Sequence, residues 1–115
     1  MQDIRTVTVA VTPLLSDIIK ELVAERAPID IVARLDRDDQ LALRLQTLAP
    51  GLVLIGIGEK DGDSVALSLG NDLPWARVIG LSHDARHAYL LEPHGRGATQ
   101  IEMSPEALIE VIQGL

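Results

Sequence analysis

Four charged side chains directly follow a run of aliphatic residues, and they are the first candidates for chemistry. The run covers residues 52–58 (LVLIGIG), and three of the charges are the carboxylates of Glu59, Asp61 and Asp63. Three carboxylates so close together could converge on a divalent cation. Acidic residues are also favoured by the dipole at the start of a helix, and a helix is predicted to begin at this point. The pattern therefore favours solvated, helix-capping carboxylates over a metal site.

Three glycines frame the same loop with the spacing Gly56-x-Gly58-x-x-x-Gly62. Glycines between a strand and a helix let backbone amides approach a phosphate group, as in dinucleotide-binding folds. That fingerprint normally follows the first strand of a fold, and acidic neighbours would repel phosphates. The spacing is more typical of a flexible strand-to-helix turn.

A second polar cluster contains His83, Asp84, His87 and His94. Histidines four residues apart on a helix could bind zinc, with Asp84 or Glu92 as a third ligand. The segment is too short and irregular for a helix, so we expect no metal site. Ser82 and His83 are adjacent on a predicted strand and would point to opposite faces, which disfavours a catalytic pair.

Composition restricts the classes of function. The chain has 115 residues, which suits a single domain over residues 1–115, and it contains no cysteine, which excludes disulfides and thiolate chemistry. Its net charge of −7 disfavours nucleic acid and anionic membranes as partners. No apolar run approaches the roughly 18 residues of a membrane span, and the first residues lack the layout of a signal peptide. We therefore expect a cytoplasmic protein.

Hydrophobic patterning predicts an α/β fold. Strands are predicted over residues 6–11, 29–35, 52–58 and 76–82, with amphipathic helices between them. Short connections in this order predict a parallel sheet with helices on both faces, a three-layer αβα arrangement. The fifth parallel strand is predicted to include residues 89–91.

The last third of the chain departs from this alternation. Too few residues separate Ser82 from the next apolar run for a full helix, so the fourth helix is predicted to be shortened or missing. Residues 98–103 (ATQIEM) alternate like a strand and predict an extra antiparallel edge strand. Ser104 and Pro105 then predict the start of a final helix.

Ligands of parallel α/β sheets bind at the carboxyl ends of the strands. In this chain those ends are predicted at residues 11–12, 35–36, 56–63, 82–84 and 92–94. The residues within them that could line a binding or interaction site are Thr12, Gly58, Glu59, Asp61, Asp63 and His83.

The order of elements and three stretches of sequence resemble the receiver domain of bacterial two-component response regulators, which has a flavodoxin-like fold. The stretches are residues 49–69 (APGLVLIGIGEKDGDSVALSL), 78–82 (VIGLS) and 88–93 (AYLLEP), within a match that covers residues 5–93. The first resembles the strand that ends in the phosphoacceptor aspartate. The other two resemble the strands that carry a hydroxyl switch residue and a lysine.

The resemblance implies that most of the phosphorylation machinery has been replaced. The nucleophile position falls on Gly56 and the lysine position on Glu92. The acidic pair that would hold magnesium falls on Ala10 and Val11, or at best on the neighbouring Thr12. Only Ser82 retains its family type, in the switch position. The resemblance thus implies a pseudo-receiver, which is not an enzyme and needs no cofactor. Such a protein would regulate signal transduction by contact with a protein partner or with a second copy of the chain.

Two other functions stay open at the level of sequence. The crevice at the strand ends could hold a small molecule or a nucleotide, since the loss of the aspartate side chain would leave room. A metal-dependent enzyme built on the histidine cluster is the least favoured alternative.

Overall fold

A computed structural model describes residues 3–25, 28–58, 60–61, 64–95 and 97–113, and these residues form alternating strands and helices. Within those ranges, no helix combines the length and the apolar character needed to cross a membrane. The elements in chain order are β1 (Ile4–Val9), α1 (Pro13–Ala24), β2 (Ile29–Leu35), α2 (Leu41–Leu48), β3 (Leu52–Ile57), α3 (Ser64–Asp72), β4 (Arg77–Ser82), β5 (Ala88–Leu91), β6 (Thr99–Ile101) and α4 (Pro105–Gln113).

The strands form one six-stranded sheet in the order β2-β1-β3-β4-β5-β6. β1, β2, β3 and β4 are mutually parallel where they pair, whereas β5 pairs antiparallel with β4 and β6 antiparallel with β5. The α/β fold class and the extra antiparallel edge strand are therefore confirmed.

Two hydrophobic clusters cover the two faces of the sheet. Side chains of α2 and α3 pack on one face, and side chains of α1 and α4 pack on the other. The buried helical residues on the first face are Leu41, Leu45, Ala66 and Leu69, and those on the second face are Leu15, Ile19, Leu22, Leu108 and Ile112.

β3 lies at the centre of this arrangement, between β1 and β4, and every one of its residues is buried. Val53 and Ile55 face the α2–α3 cluster, while Leu52 and Leu54 face the α1–α4 cluster. Burial of one such side chain contributes about 1.5–3 kcal/mol. The near-continuous aliphatic sequence of β3 follows from its having helices on both faces.

The prediction of five parallel strands is wrong for β5, which runs antiparallel to β4. Only residues 83–87 connect β4 to β5, and they form a turn. A parallel return needs a crossover of roughly ten residues or more, usually including a helix. No helix lies between β4 and β5, where the structure describes every residue, in agreement with the prediction that this helix is shortened or missing. The chain can therefore only fold back beside β4 as a hairpin.

The reversed β5 moves its last residues to the opposite end of the sheet. Leu91 pairs with Val78 near the start of β4, so Glu92 lies beside Arg77 and far along the strand from Ser82. The Glu92 carboxylate forms an ion pair of 2.6 Å with Nη2 of Arg77, whose side chain is only 10% exposed. Nη1 of Arg77 donates to the carbonyl oxygen of Val111 in α4. Glu92 thus balances a buried cation that joins β4 to the final helix.

Replacing Glu92 tests this role. We expect Glu92→Lys to lower the free energy of unfolding by about 1–3 kcal/mol, since the buried Arg77 loses its counter-charge and gains a like charge. Urea denaturation measures the change. The control is Arg44→Ala, which removes an exposed ion pair with Asp38 and should cost no more than about 0.5 kcal/mol. Equal effects of the two substitutions would contradict the structural role of Glu92.

Candidate functional site

The carboxyl ends of β1, β3 and β4 lie side by side and bring three predicted site residues together. Gly56 pairs with Leu81, Ile57 pairs with Ser82, and the backbone amide of His83 donates to the carbonyl oxygen of Ile57 at 3.0 Å. Gly56, Ser82 and His83 therefore share one edge of the sheet. Glu92 lies at the other end, so it is not part of this group.

The space above Gly56 is occupied by the backbone that follows β1. A Cβ atom on Gly56 would lie closer than 3.0 Å to the carbonyl oxygen of Ala10. The same atom would be 3.2 Å from the carbonyl carbon of Ala10 and 3.3 Å from Cδ2 of His83. Any side chain at position 56 would therefore require the backbone after β1 to move.

The conformation of Ala10 explains this close approach. β1 ends at Val9, two residues earlier than predicted, because Ala10 adopts a left-handed conformation with φ of 52°. Its amide donates to the carbonyl oxygen of Leu35 at the end of β2. A left-handed conformation costs an L-residue roughly 1–2 kcal/mol, so the surrounding structure must stabilise it. Glycine at position 56 is what leaves room for this turn.

Ser82 is 4% exposed, and its hydroxyl holds the β4–β5 turn together. The hydroxyl donates to Oδ1 of Asp84 at 2.6 Å and accepts the backbone amides of Arg86 and His87, at 3.2 and 2.9 Å. The backbone amide of Ser82 also donates to the carbonyl oxygen of His87. The hydroxyl is fully engaged in local hydrogen bonds.

Asp84 is the acceptor at the centre of the same turn. The hydrogen bond from the Ser82 hydroxyl, followed by that from the Arg86 amide, lowers the pKa of Asp84 below its ordinary value of 3.8. Hydrogen bonds to the charged form of a carboxyl group favour that form. The turn is therefore built around an ionised carboxylate.

The loop after β3 is organised by Asp61. Its Oδ2 accepts the amide of Gly58 at 2.8 Å and lies 3.4 Å from Nη1 of Arg37. The Ser64 hydroxyl donates to the Asp61 carbonyl oxygen at the start of α3. The sequence favours a helix-capping carboxylate at Asp61, but its carboxylate contacts Gly58 and Arg37, and it is the main-chain carbonyl that contacts the start of α3. Glu59, Gly62 and Asp63, the other predicted residues of this loop, lie outside the described residues.

The histidine cluster does not converge. Nδ1 of His87 lies 3.1 Å from Nε2 of Gln100 on β6. Among the described residues, no group of three histidine, aspartate or glutamate side chains is placed to hold a metal ion.

Thr12 caps α1, and a cleft opens between this helix and β2. The Thr12 hydroxyl accepts the amide of Leu15 at 3.4 Å. The cleft has a volume of about 490 Å³ and begins where β1 and β2 end. Its polar lining includes Thr8, Ser16, Lys20 and Arg34, none of which is among the predicted site residues. Two of these residues, Ser16 and Lys20, could have been grouped from the sequence, because they are four residues apart on one predicted helix and lie on the same flank of it.

The strand-end residues around Gly56 mainly stabilise one another. Open space lies beside them in the cleft over β2 and in a second cleft of about 410 Å³ between α2 and α3, which Asp61 helps to line. No protein-family model, curated protein or solved structure matches the chain.

Alanine substitutions at two glycines test how closely the backbone packs against position 56. We expect Gly56→Ala to lower the free energy of unfolding by about 1–3 kcal/mol, because its methyl group collides with the Ala10 carbonyl. Gly97→Ala is the control, since a Cβ there has no heavy atom within 4 Å; it should be neutral or slightly stabilising. Urea denaturation compares the two variants, and an unaffected Gly56→Ala protein would contradict the close approach.

The lowered pKa of Asp84 predicts a pH dependence. The ionised carboxylate stabilises the folded state above the unfolded pKa of 3.8, and this stabilisation is lost as pH falls through the lower folded pKa. The difference in unfolding free energy between the wild type and Asp84→Asn should therefore shrink as the pH falls below 3.8. Thermal or urea unfolding across a pH series measures it.

Ser82→Ala provides the control background for that experiment. Without the hydroxyl, the pKa of Asp84 moves toward its ordinary value, and Asp84→Asn should change the pH profile less. Identical profiles in both backgrounds would show that Ser82 is not the main cause of the lowered pKa.

Proposed function

We propose that the chain is a receiver-like regulatory domain that acts through contact with another protein and accepts no phosphoryl group at position 56. The observation that carries this proposal is the packing of the Ala10 carbonyl against Gly56. The resemblance assigns the nucleophile to position 56. This position has no carboxylate, and the Ala10 carbonyl group occupies the space that a side chain there would need.

The electrostatics at this edge also support the proposal. Phosphoryl transfer to a carboxylate needs cations or hydrogen-bond donors directed at the phosphoryl oxygens. Here the Ala10 carbonyl oxygen, which is an acceptor, faces position 56. The Ser82 hydroxyl, which the resemblance assigns to the switch, already has three partners in its own turn.

The strand order supports the resemblance to receiver domains, whereas the direction of β5 departs from it. Receiver domains and flavodoxins share the strand order 2-1-3-4-5, and the first five strands of this sheet follow it. β5 runs in the opposite direction, however, which separates Glu92 from Gly56. The surface around β5 is therefore built from a hairpin with β6 instead of a helix followed by a parallel strand.

This hairpin is where we place the protein contact. β6 is the last strand of the sheet, and Thr99 and Gln100 are exposed. An edge strand can accept a strand from a partner, which adds main-chain hydrogen bonds to the sheet. A second copy of the chain and a different protein both fit this mode of contact.

A phosphodonor experiment tests the absence of phosphotransfer. The purified protein is incubated with acetyl phosphate and Mg²⁺, and its intact mass is measured before and after treatment with hydroxylamine, which cleaves acyl phosphates. We expect no phosphoryl adduct. A stoichiometric adduct that hydroxylamine removes would overturn the proposal.

Site-specific photo-crosslinking tests the protein contact. A photoreactive amino acid replaces Gln100 on β6 in one variant and Gln113 at the end of α4 in a matched control. Both variants are expressed in cells of the organism that naturally makes the protein. Position 100 should give one discrete adduct, whose mass spectrum identifies the partner or a second copy, while position 113 should give none. Equal labelling from both positions, or none from position 100, would contradict the contact at β6.

A small-molecule-binding module is the second candidate function. The observation that favours it is the cleft between α1 and β2. The site lies to one side of the crevice above Gly56, which the backbone closes.

A further inference from the structure

The cleft between α1 and β2 lies on the outer flank of the helix, where the sheet extends beyond it. α1 packs Leu15, Ile19 and Leu22 onto the sheet, while β2 is the edge strand on this side. The cleft of about 490 Å³ is within the range of small-molecule sites.

A β-bulge in β2 directs one cation toward this cleft. Thr6 pairs with Ile31 but Val7 pairs with Ala33, so one extra residue interrupts the alternation of β2. Ile31 therefore packs on the α1 side, whereas Ala33 packs on the α2–α3 side. After the bulge, Arg34 falls on the α1 side and lines the cleft. Bulges commonly re-aim a side chain in this way.

Part of the cleft lining is polar. Arg34 pairs in register with Thr8 of β1, which is 5% exposed and also lines the cleft. Ser16 and Lys20 line it from the facing flank of α1. Two hydroxyl groups and two cations therefore contribute to the lining.

Aliphatic side chains complete the lining. Ile19 is 4% exposed and Ile29 is 6% exposed, and both contribute to the wall of the cleft. Val23 also lines it and is 49% exposed. The lining therefore combines polar and aliphatic side chains.

The cations of the cleft are not committed to ion pairs within the described part of the chain. The three ion pairs there involve Arg37, Arg44 and Arg77. Two carboxylates also contribute to the lining. Asp30 alternates with Ile29 and Ile31, which directs its side chain to the other face, and Asp36 directly follows the end of β2. Two cations and one carboxylate are therefore directed at the cleft.

We propose that this cleft binds a small amphipathic carboxylic acid, with its carboxylate between Lys20 and Arg34 and its apolar body along Ile19, Val23 and Ile29. Arginine and lysine form charge-assisted hydrogen bonds with carboxylates, and the Thr8 and Ser16 hydroxyls add neutral donors. Asp36, which also lines the cleft, can accept a hydrogen bond from an α-amino group, so the class includes apolar amino acids. This inference rests on the second candidate function and is independent of the resemblance to receivers.

Acid and amide pairs test the proposal by NMR. The labelled protein is titrated with octanoate, indole-3-acetate and leucine, and with octanamide and indole-3-acetamide as neutral controls of the same shape. We expect the backbone amide shifts to centre on Thr8, Ser16 and Arg34. We expect at least one acid to bind about tenfold or more tightly than its amide, the loss associated with one charge-assisted hydrogen bond. A response to leucine stronger than to both other acids would assign the site to amino acids.

Charge-neutral variants give the second measurement. Lys20→Gln and Arg34→Gln are surface changes that should preserve the fold, and each should weaken acid binding by about tenfold. Arg86→Gln removes an exposed cation from the β4–β5 turn and should leave binding unchanged. Three results would overturn the proposal: no shifts at millimolar acid, equal binding of acids and amides, or equal losses in Arg86→Gln and Arg34→Gln. None of them bears on phosphotransfer, which the acetyl phosphate experiment tests separately.

Discussion

The connection between β4 and β5 is too short to cross the sheet, and much of the C-terminal half depends on that constraint. Residues 83–87 can only form a turn, and the buried hydroxyl of Ser82 holds it by three hydrogen bonds. β5 must then run antiparallel to β4, which makes β6 the outer strand and carries Glu92 to Arg77. A buried guanidinium needs a counter-charge, so the hairpin and the Arg77–Glu92 pair depend on each other. The same pair anchors α4 through the Val111 carbonyl.

At the opposite end of the sheet, a close approach between two backbones decides what the strand ends can do. The left-handed turn at Ala10 directs its carbonyl toward Gly56. A carboxylate at position 56 and this turn exclude each other sterically. In the reading proposed above, the loss of the nucleophile is therefore accompanied by a change in the neighbouring loop, and restoration of an aspartate alone would not rebuild a phosphoacceptor site.

The cleft that we propose as a ligand site lies over the edge strand β2, on the far side of β1 from Gly56. The β-bulge there places Arg34 on the same face as Ile31, opposite Lys20 of α1. A regulatory domain with this arrangement would have two separate surfaces, an interaction edge at β6 and a cleft at β2. They lie at opposite edges of the sheet. Coupling between them would have to pass through the packed central strands.

The sequence by itself determined the local structure: the aliphatic run of β3, the Thr12-Pro13 start of α1, a shortened or missing helix after β4 and an antiparallel edge strand within residues 98–103 were all predicted from patterning. These features depend on near neighbours in the chain, which is why a single sequence carries them. The direction of β5 was implicit in the short connection over residues 83–87, although it was predicted wrongly. The tertiary structure alone decided the pairing of Glu92 with Arg77, the filling of the space above Gly56 and the placement of Arg34 in a cleft. Each of these depends on residues distant in sequence: Glu92 meets Arg77, Ala10 meets Gly56, and the bulge in β2 is visible only in its register with β1. Periodicity reports which face a residue occupies, but it does not report register, because register is set by pairing between distant segments.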